Sequence, residues 1–248
     1  MAIARVRRCR TLADLAAVSR LQAQIWQSPE MAAPSSLLRA MADSGGIVLL
    51  ATVAGEPVGF CFGFTGRSRD GHSYHRSHAA GLLPPAQGQG LGRRLKLAQR
   101  RAALAIGLTR MVWTFDPVQT RNAHFNLHRL GAIARGYHAD YYGARVDAFN
   151  GGLPSDRLVA EWFLAGPERR VVEGLRRRPG RGAPAAAVPM DLRGLAARDP
   201  GAARGAHLGL RRALRRGLAD GLVLVDFDAG SNRYRFAAAP IDGLPPPP

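Results

Sequence analysis

Lysine is almost missing from this sequence: Lys96 stands alone beside 34 arginines. Acidic residues are also scarce, 18 against 35 basic ones, and the formal charge at pH 7 is +17. A charge of that size invites a nucleic-acid reading. The preference for arginine over lysine, with abundant alanine, glycine and proline, instead fits GC-rich coding, in which the charge mainly reflects composition and solvated surface. There are two cysteines, Cys9 and Cys61, without CxxC spacing, which argues against a disulfide framework and a structural zinc site. No metal is called for. No apolar run reaches the roughly 18–20 residues that span a bilayer, and charge recurs too soon in the first residues for a signal peptide. The expectation is a cytoplasmic protein with no membrane partner.

Enough remains for a core. Of 248 residues, 46% are hydrophobic, which suits one large domain or a domain with an appendage. "IARVRRC" alternates as a first strand. Thr11 caps a helix with Leu15, Val18, Leu21 and Ile25 at helical spacing. A second short helix follows, capped by Ser35 or Ser36 and stopped by Gly45 and Gly46. Two strands meet at Ala54-Gly55-Glu56-Pro57, a hairpin signal. "SYHRSHAAGLLP" is a further strand, "GLGRRLKLAQRRAALAIG" a helix, "RMVWTFDP" a strand, "TRNAHFNLHRLG" a helix and "AIARGYHADYYG" a strand. "NGGLPSDRLVAEWFLAG" adds one more edge strand. The order predicts an α/β protein with a mixed sheet. Residues 167–187 read as an Arg/Pro/Gly-rich linker or loop. Beyond it lie a helix and a hairpin turning at Ala229-Gly230-Ser231-Asn232, then a disordered proline end.

The most informative stretch is "LLPPAQGQGLGRRLK", from Leu82 to Lys96. Glycines before a helix let backbone N–H groups converge on an anion, and the helix end adds a positive dipole. Two nucleotide loops fail. A P-loop needs lysine after its last glycine, where Arg93 stands. The dinucleotide fingerprint needs glycine at Arg93 itself.

Gln87, Gly90 and Gly92 do complete Q/R-x-x-G-x-G/A between a strand and an arginine-rich helix. This resembles the pyrophosphate motif of the GNAT superfamily, the GCN5-related N-acetyltransferases. The strand and helix order from Ile3 to about Gly143 is similar as well. "TRNAHFNLHRLG" looks like the family's helix that ends in Leu-Gly. "WTFDPVQTRNAHFNLHRLGAIARGYHADYYG", "LPSDRLVAEW" and "LVLVDFDAGSNRYRF" resemble an uncharacterised bacterial branch of such acyltransferases.

The resemblance implies a mixed, mostly antiparallel sheet splayed between its fourth and fifth strands, flanked by helices, with a C-terminal helix-hairpin extension. It implies an acyltransferase domain over 1–166, the linker at 167–187, an extension at 188–240 and a tail at 241–248. It further implies acetyl-CoA or another acyl-CoA as cosubstrate, with acetyl or a larger acyl such as succinyl passed directly to the amine of a small molecule or amino acid. Leu82 and Leu83 would pair with the pantetheine arm. Gln87, Gly88, Gln89, Gly90, Leu91, Gly92 and Arg93 would hold the pyrophosphate, and Asn122 and Asn126 would contact the arm. The fourth strand carries no Asp or Glu between Gly71 and Pro84, which leaves His75 and His78 as its titratable groups; His78, which by period-2 counting shares a face with Ala80 and Leu82, is the candidate base. The family's usual tyrosine acid falls at Leu127. Tyr137, Tyr141 and Tyr142 are the candidate replacements, Tyr137 foremost, and Asp116 is a further polar group near the gap. Two alternatives stay open: an inactive acyl-CoA-binding module, or a basic nucleic-acid binder, for which "RRRPGRG" lacks interleaved aromatics. Nucleic acid is not the expected partner. A homodimer is left open by the exposed edges of such sheets.

Overall fold

The computed structural model describes residues 3–143, 152–177, 184–238 and 244–247. The chain divides into two compact units, 1–111 and 112–247.

Unit 1 is a four-stranded antiparallel sheet in the order β1-β2-β3-β4, made of Ala4–Arg8, Ile47–Val53, Glu56–Arg67 and Ser73–Leu82. Helices α1 (Leu12–Trp26), α2 (Ser35–Asp43) and α3 (Leu91–Ala105) flank it. The cap of α1 forms as its sequence predicts. The Asp14 N–H donates to Thr11 Oγ1 at 3.1 Å, and Asp14 accepts from Thr11 N–H. Arg7 grips the same carboxylate with two donors, at 2.7 and 2.6 Å. Helix α2 has Pro34 at its cap position rather than a serine. The β2–β3 turn is two residues, Ala54 and Gly55, both with positive φ, the backbone that matches strand twist in a tight hairpin. Val18, Leu21, Leu38, Val48, Leu50, Phe60 and Phe62 close the core on one face of this sheet.

β5 (Arg110–Phe115) begins in unit 1 and continues into unit 2. There the strand order is β5-β7-β6-β9-β10-β8, with β6 Ile133–His138, β7 Arg157–Phe163, β8 Ala186–Ala187, β9 Leu222–Asp228 and β10 Arg233–Ala238. Helix α4 (Thr120–Ala123) runs on into a π-helical turn, His124–Arg129. Helices α5 (Gly166–Leu175), α6 (Leu192–Arg198) and α7 (Pro200–Ala219) complete the unit.

The architecture is the expected mixed, mostly antiparallel α/β arrangement with flanking helices, and the C-terminal helix and hairpin form as read. Three local expectations give way. β7 is an interior strand, not an edge: it lies between β5 and β6, and Leu158–Phe163 are all buried. A strand covered on both faces reads as a near-continuous apolar run, here interrupted by the buried Glu161, which pairs with Arg135, and a search for alternation passes over it. The expected linker begins as helix α5, with Pro167 in its first turn and Val172 and Leu175 buried; residues 178–183 lie outside the described ones. Of the expected disordered tail, Leu244 packs with Ile133, Phe163 and Val172, and the Pro245 carbonyl accepts from Arg135 at 2.8 Å. No helix among the described residues is long and apolar enough to cross a membrane.

Candidate functional site

In unit 1, β4 leads through a short turn into α3. β3 and β4 run in register from Arg67↔Ser73 to Gly63↔Ser77, then from Phe62↔Ala79 to Gly59↔Leu82. One residue of β4 is left without a partner across that step: His78. A bulge of this kind lets two neighbouring side chains lie on one face and reverses the alternation beyond it. Before it, His75 and Ser77 are buried against α3, where Ser77 meets Gln99. After it, Ala79 packs on the Phe60–Phe62 core, and a Cβ on Gly81 would meet Ile25 and Phe60. The His78 ring lies 5.5 Å from Phe62 and 6.0 Å from Phe64. It therefore sits on the phenylalanine face, not on the Leu82 face that unbroken period-2 counting predicts. The imidazole is open to solvent at one side, and desolvation by its neighbours, then Arg76, push its pKa below 6.5. At neutral pH it can accept a proton.

The backbone after the bulge has two behaviours. Leu83 N–H donates to Val58 at 2.9 Å, and its carbonyl accepts from Ala86 N–H at 2.9 Å. Neighbouring N–H groups in a strand point to opposite sides, so the Leu82 N–H is directed away from β3. The Leu82 carbonyl accepts from Gln87 Nε2 at 2.9 Å. Thus Gln87 braces the end of β4, and Gln89 likewise donates to Pro85 O at 2.9 Å. The Leu83 N–H is thus taken up within the β3–β4 pair, while the Leu82 N–H is not given to β3.

The turn itself is Gln87–Gly90. Gly88 and Gly90 have φ of +79° and +77°, the left-handed region that glycine enters without strain. Gly90 caps α3, and no side chain occupies the cap. The first-turn N–H groups of Leu91, Gly92 and Arg93 precede the first full helical bond, Arg94 N–H to Gly90 O, and no acidic residue competes at that end. Converging amides and the dipole suit an anion. Gln87, Gly88, Gln89, Gly90, Leu91, Gly92, Arg93, Leu82 and His78 are therefore brought along one continuous path in unit 1.

The remaining candidates lie in unit 2. Asn122 is exposed on α4; Asn126 is buried in the π-turn, and its carbonyl accepts from Ala132 N–H at 3.1 Å. Leu127 is fully buried, so an apolar side chain fills the place where the resemblance has a tyrosine. The Tyr137 hydroxyl donates to Asp156, and burial together with that carboxylate raises its pKa. Asp116 Oδ1 accepts from Val118 N–H at 3.0 Å, a turn contact before Pro117. Tyr141 and Tyr142 are exposed. Among the described residues no group of three or more metal-type ligands forms.

Residues 15–132 match the family described as Acetyltransferase (GNAT) family. The segment is a GNAT domain. A GNAT-family acetyltransferase from Streptococcus pneumoniae is similar with a TM-score of 0.53 at 18% identity, covering 66% of this chain and 100% of its own. A Salmonella typhimurium acetyltransferase, described with its cofactor acetyl-CoA, gives 0.54 at 19%, covering 66% and 95%. Arabidopsis thaliana NAA60, in complex with a bisubstrate analogue, gives 0.51 at 11%, covering 65% and 98%. At these identities the likeness is one of fold. No curated protein matches the chain.

Two features escaped sequence reading. One is a buried polar cluster around Lys96 in unit 1; the only outward signal was that this is the chain's single lysine. The other is the Asp156 cluster in unit 2, for which the sequence carries no local sign.

Proposed function

We propose that the chain is an acyl-CoA-dependent N-acyltransferase that passes acetyl, or a larger acyl such as succinyl, directly to the amine of a small molecule or amino acid. The observation that carries this is the succession, within one GNAT segment, of a bulged His78, a Leu82 N–H not given to β3 and a glycine-capped α3 N-terminus free of side-chain caps. The α3 turn, Gln87 to Arg93, would hold the coenzyme pyrophosphate. Leu82 would pair with the pantetheine arm; the Leu83 N–H is already given to Val58. Asn122 and Asn126 are proposed for further contacts to the arm.

The chemistry follows from the residues. The acceptor must attack as a neutral amine. An α-amine of pKa near 8 loses about 1.4 kcal/mol to protonation at pH 7, whereas a lysine-type amine loses over twice that. The amine nitrogen bonds to the thioester carbon, and the carbonyl electrons move onto oxygen. Leu82 N–H meets that oxyanion; a single donor of this type is worth roughly 3–4 kcal/mol. His78, whose pKa is lowered by desolvation and by Arg76, takes the proton from nitrogen. Collapse breaks the C–S bond, and the thiolate leaves to be protonated. Tyr137 is proposed as that proton's donor, a role in which its hydroxyl must leave Asp156.

Coenzyme A at millimolar concentration is expected to raise the melting temperature, by several degrees at saturation. Gly92→Asp is expected to abolish the rise. An aspartate in the first turn of a helix suits its dipole, so the variant keeps its fold while placing a carboxylate where the pyrophosphate would lie. A wild-type chain that shows no shift overturns the proposal. The buried Leu127 favours a second reading, a module that binds acyl-CoA without turnover; thiol release across a panel of amino acids, polyamines and aminoglycosides with acetyl-, propionyl- and succinyl-CoA separates the two.

A further inference from the structure

The face of β3 and β4 opposite the phenylalanines carries a cluster that the reaction above leaves unused. Lys96 on α3 is buried, and its Nζ donates to Ser77 Oγ at 2.7 Å and lies 3.3 Å from Gln99 Oε1. Ser77 Oγ donates to Gln99 Oε1 at 3.0 Å, and Gln99 Nε2 lies 3.0 Å from His75 Nε2. The fully buried Cys61 of β3 faces the same group. Burial, then the Lys96 charge, lower His75 to about 4, so its ring is neutral and Nε2 accepts the amide proton. Its Nδ1 has no hydrogen-bond partner. A Cβ on Gly63 would stand 2.7 Å from His75 Nε2, so glycine there gives the histidine its room.

Placement is the telling feature. Ser77 immediately precedes the bulged His78. Lys96 follows Gly92 by one helical turn. The cluster is thus the cross-brace between the strand that presents the base and the Leu82 amide, and the helix whose first turn presents the anion site. It is also retained against an adverse burial: desolvation lowers the Lys96 pKa from 10.5 to about 8. Groups kept under such conditions concentrate at functional sites. The chain uses arginine everywhere else, but a guanidinium has a planar five-donor fork and stays charged, which suits neither the compact pair of acceptors on Ser77 and Gln99 nor the burial.

We propose that Lys96, acting through Ser77 and Gln99, is a positioning residue that sets the spacing between the His78 bulge and the Gly88–Gly92 turn, and so makes unit 1 fit the whole span of an acyl-CoA from thioester to pyrophosphate. This rests on the acyl-CoA function proposed above.

A spacer has a signature that a charge or a core residue lacks. Two ligand halves held by one rigid frame bind together far better than their separate affinities suggest, and that gain is lost when the frame slackens. Calorimetry with intact CoA, with pantetheine and with inorganic pyrophosphate should be run on wild type, Lys96→Met and Ser77→Ala. The expected result is an approximately tenfold loss for intact CoA in Lys96→Met, with pantetheine and pyrophosphate unchanged. KM for acetyl-CoA should rise in parallel while kcat stays within about threefold. Ser77→Ala, which removes one oxygen, should show the same pattern more weakly and keeps the test open if Lys96→Met folds poorly. Unchanged CoA affinity in both variants overturns the inference. So does an equal loss for pyrophosphate alone, which would make Lys96 a distant countercharge. A wild type that binds no CoA at all instead overturns the function on which the inference rests.

Discussion

Among the described residues each unit buries a polar cluster centred on one charged side chain, Lys96 in unit 1 and Asp156 in unit 2, and the two are built on opposite principles. In unit 2 the anion Asp156, fully buried, is surrounded by donors. His207 Nε2 lies at 3.0 Å, Arg211 donates at 2.8 and 2.6 Å, the Asp140 N–H at 3.0 Å, and the Tyr137 hydroxyl donates as well. Burial is the largest single influence and pushes the carboxyl pKa up, but the bonds from His207, Arg211 and Tyr137 together hold it well below the ordinary carboxylate range. In unit 1 the cation Lys96 donates to Ser77 and Gln99, both neutral, and there burial lowers its pKa. The first cluster welds α7 of the extension to β6 and the start of β7, and its charge is compensated. The second holds a strand to a helix at a cost in stability. A compensated buried charge marks a fold-building joint; a tolerated one marks a joint kept for another reason.

Breaking the stronger joint should have the largest effect. Asp156→Ala leaves Arg211 and His207 facing an empty site, and removing one member of a buried ion pair costs about 3–5 kcal/mol. Urea unfolding measures it; a loss under about 1 kcal/mol would erase the contrast between the clusters. The pH dependence has a definite sign. A carboxyl whose folded pKa is depressed binds more protons when unfolded, so its contribution is complete above the unfolded value, about 4. It declines as pH falls below that, and Asp156→Asn should flatten this acid limb.

The opposite substitution in unit 1 should stabilise. The fall of the Lys96 pKa from 10.5 to about 8 corresponds to roughly 3 kcal/mol against the charged, folded form. Lys96→Met loses the bonds to Ser77 and Gln99, each worth about 1 kcal/mol, so a net gain of about 1 kcal/mol is expected at pH 7. Here the unfolded state holds the proton longer. Wild-type stability should therefore rise between pH 8 and 10.5, where the unfolded lysine is still charged and the folded one is neutral. The wild-type minus variant difference should rise through zero over that interval. A variant less stable than wild type at pH 7 would make Lys96 an ordinary core contact.

What could be read in the sequence was local. The Thr11 cap, the two-residue turn at Ala54-Gly55 and the glycine turn into α3 are each written in fewer than about ten consecutive residues, and each formed. What could not be read depends on partners distant along the chain. Ser77 and Lys96 are 19 residues apart, and Asp156 and His207 are 51 apart; neither spacing is a pattern. The bulge at His78 escapes for another reason. Alternation predicts a face only while the register is unbroken, and the break is set by Phe62 and Gly63 on the neighbouring strand. Hence the choice of His78 as candidate base could be made from the strand's lack of carboxylates, while the face it occupies could not. The interior place of β7 was hidden by the same limit, since it depends on which strands flank it.

The smallest expected effect tests a residue that belongs to both arguments. Tyr137→Phe removes one of several donors to Asp156 and leaves the ring in place. With Arg211 and His207 still bonded to the carboxylate, the stability loss should be about 1 kcal/mol, well short of Asp156→Ala. The same variant asks whether the hydroxyl also donates a proton. Its pKa is raised by burial and by Asp156, so giving its proton to a thiolate of pKa near 8.5 is uphill. A general acid typically contributes 10²–10⁴-fold. A kcat that falls a hundredfold, with loss of the alkaline limb of the pH–rate profile, establishes Tyr137 as the acid despite that gradient. A kcat within about threefold of wild type, with the unfolding midpoint slightly lowered, assigns the hydroxyl wholly to the Asp156 joint and leaves the departing thiolate to solvent.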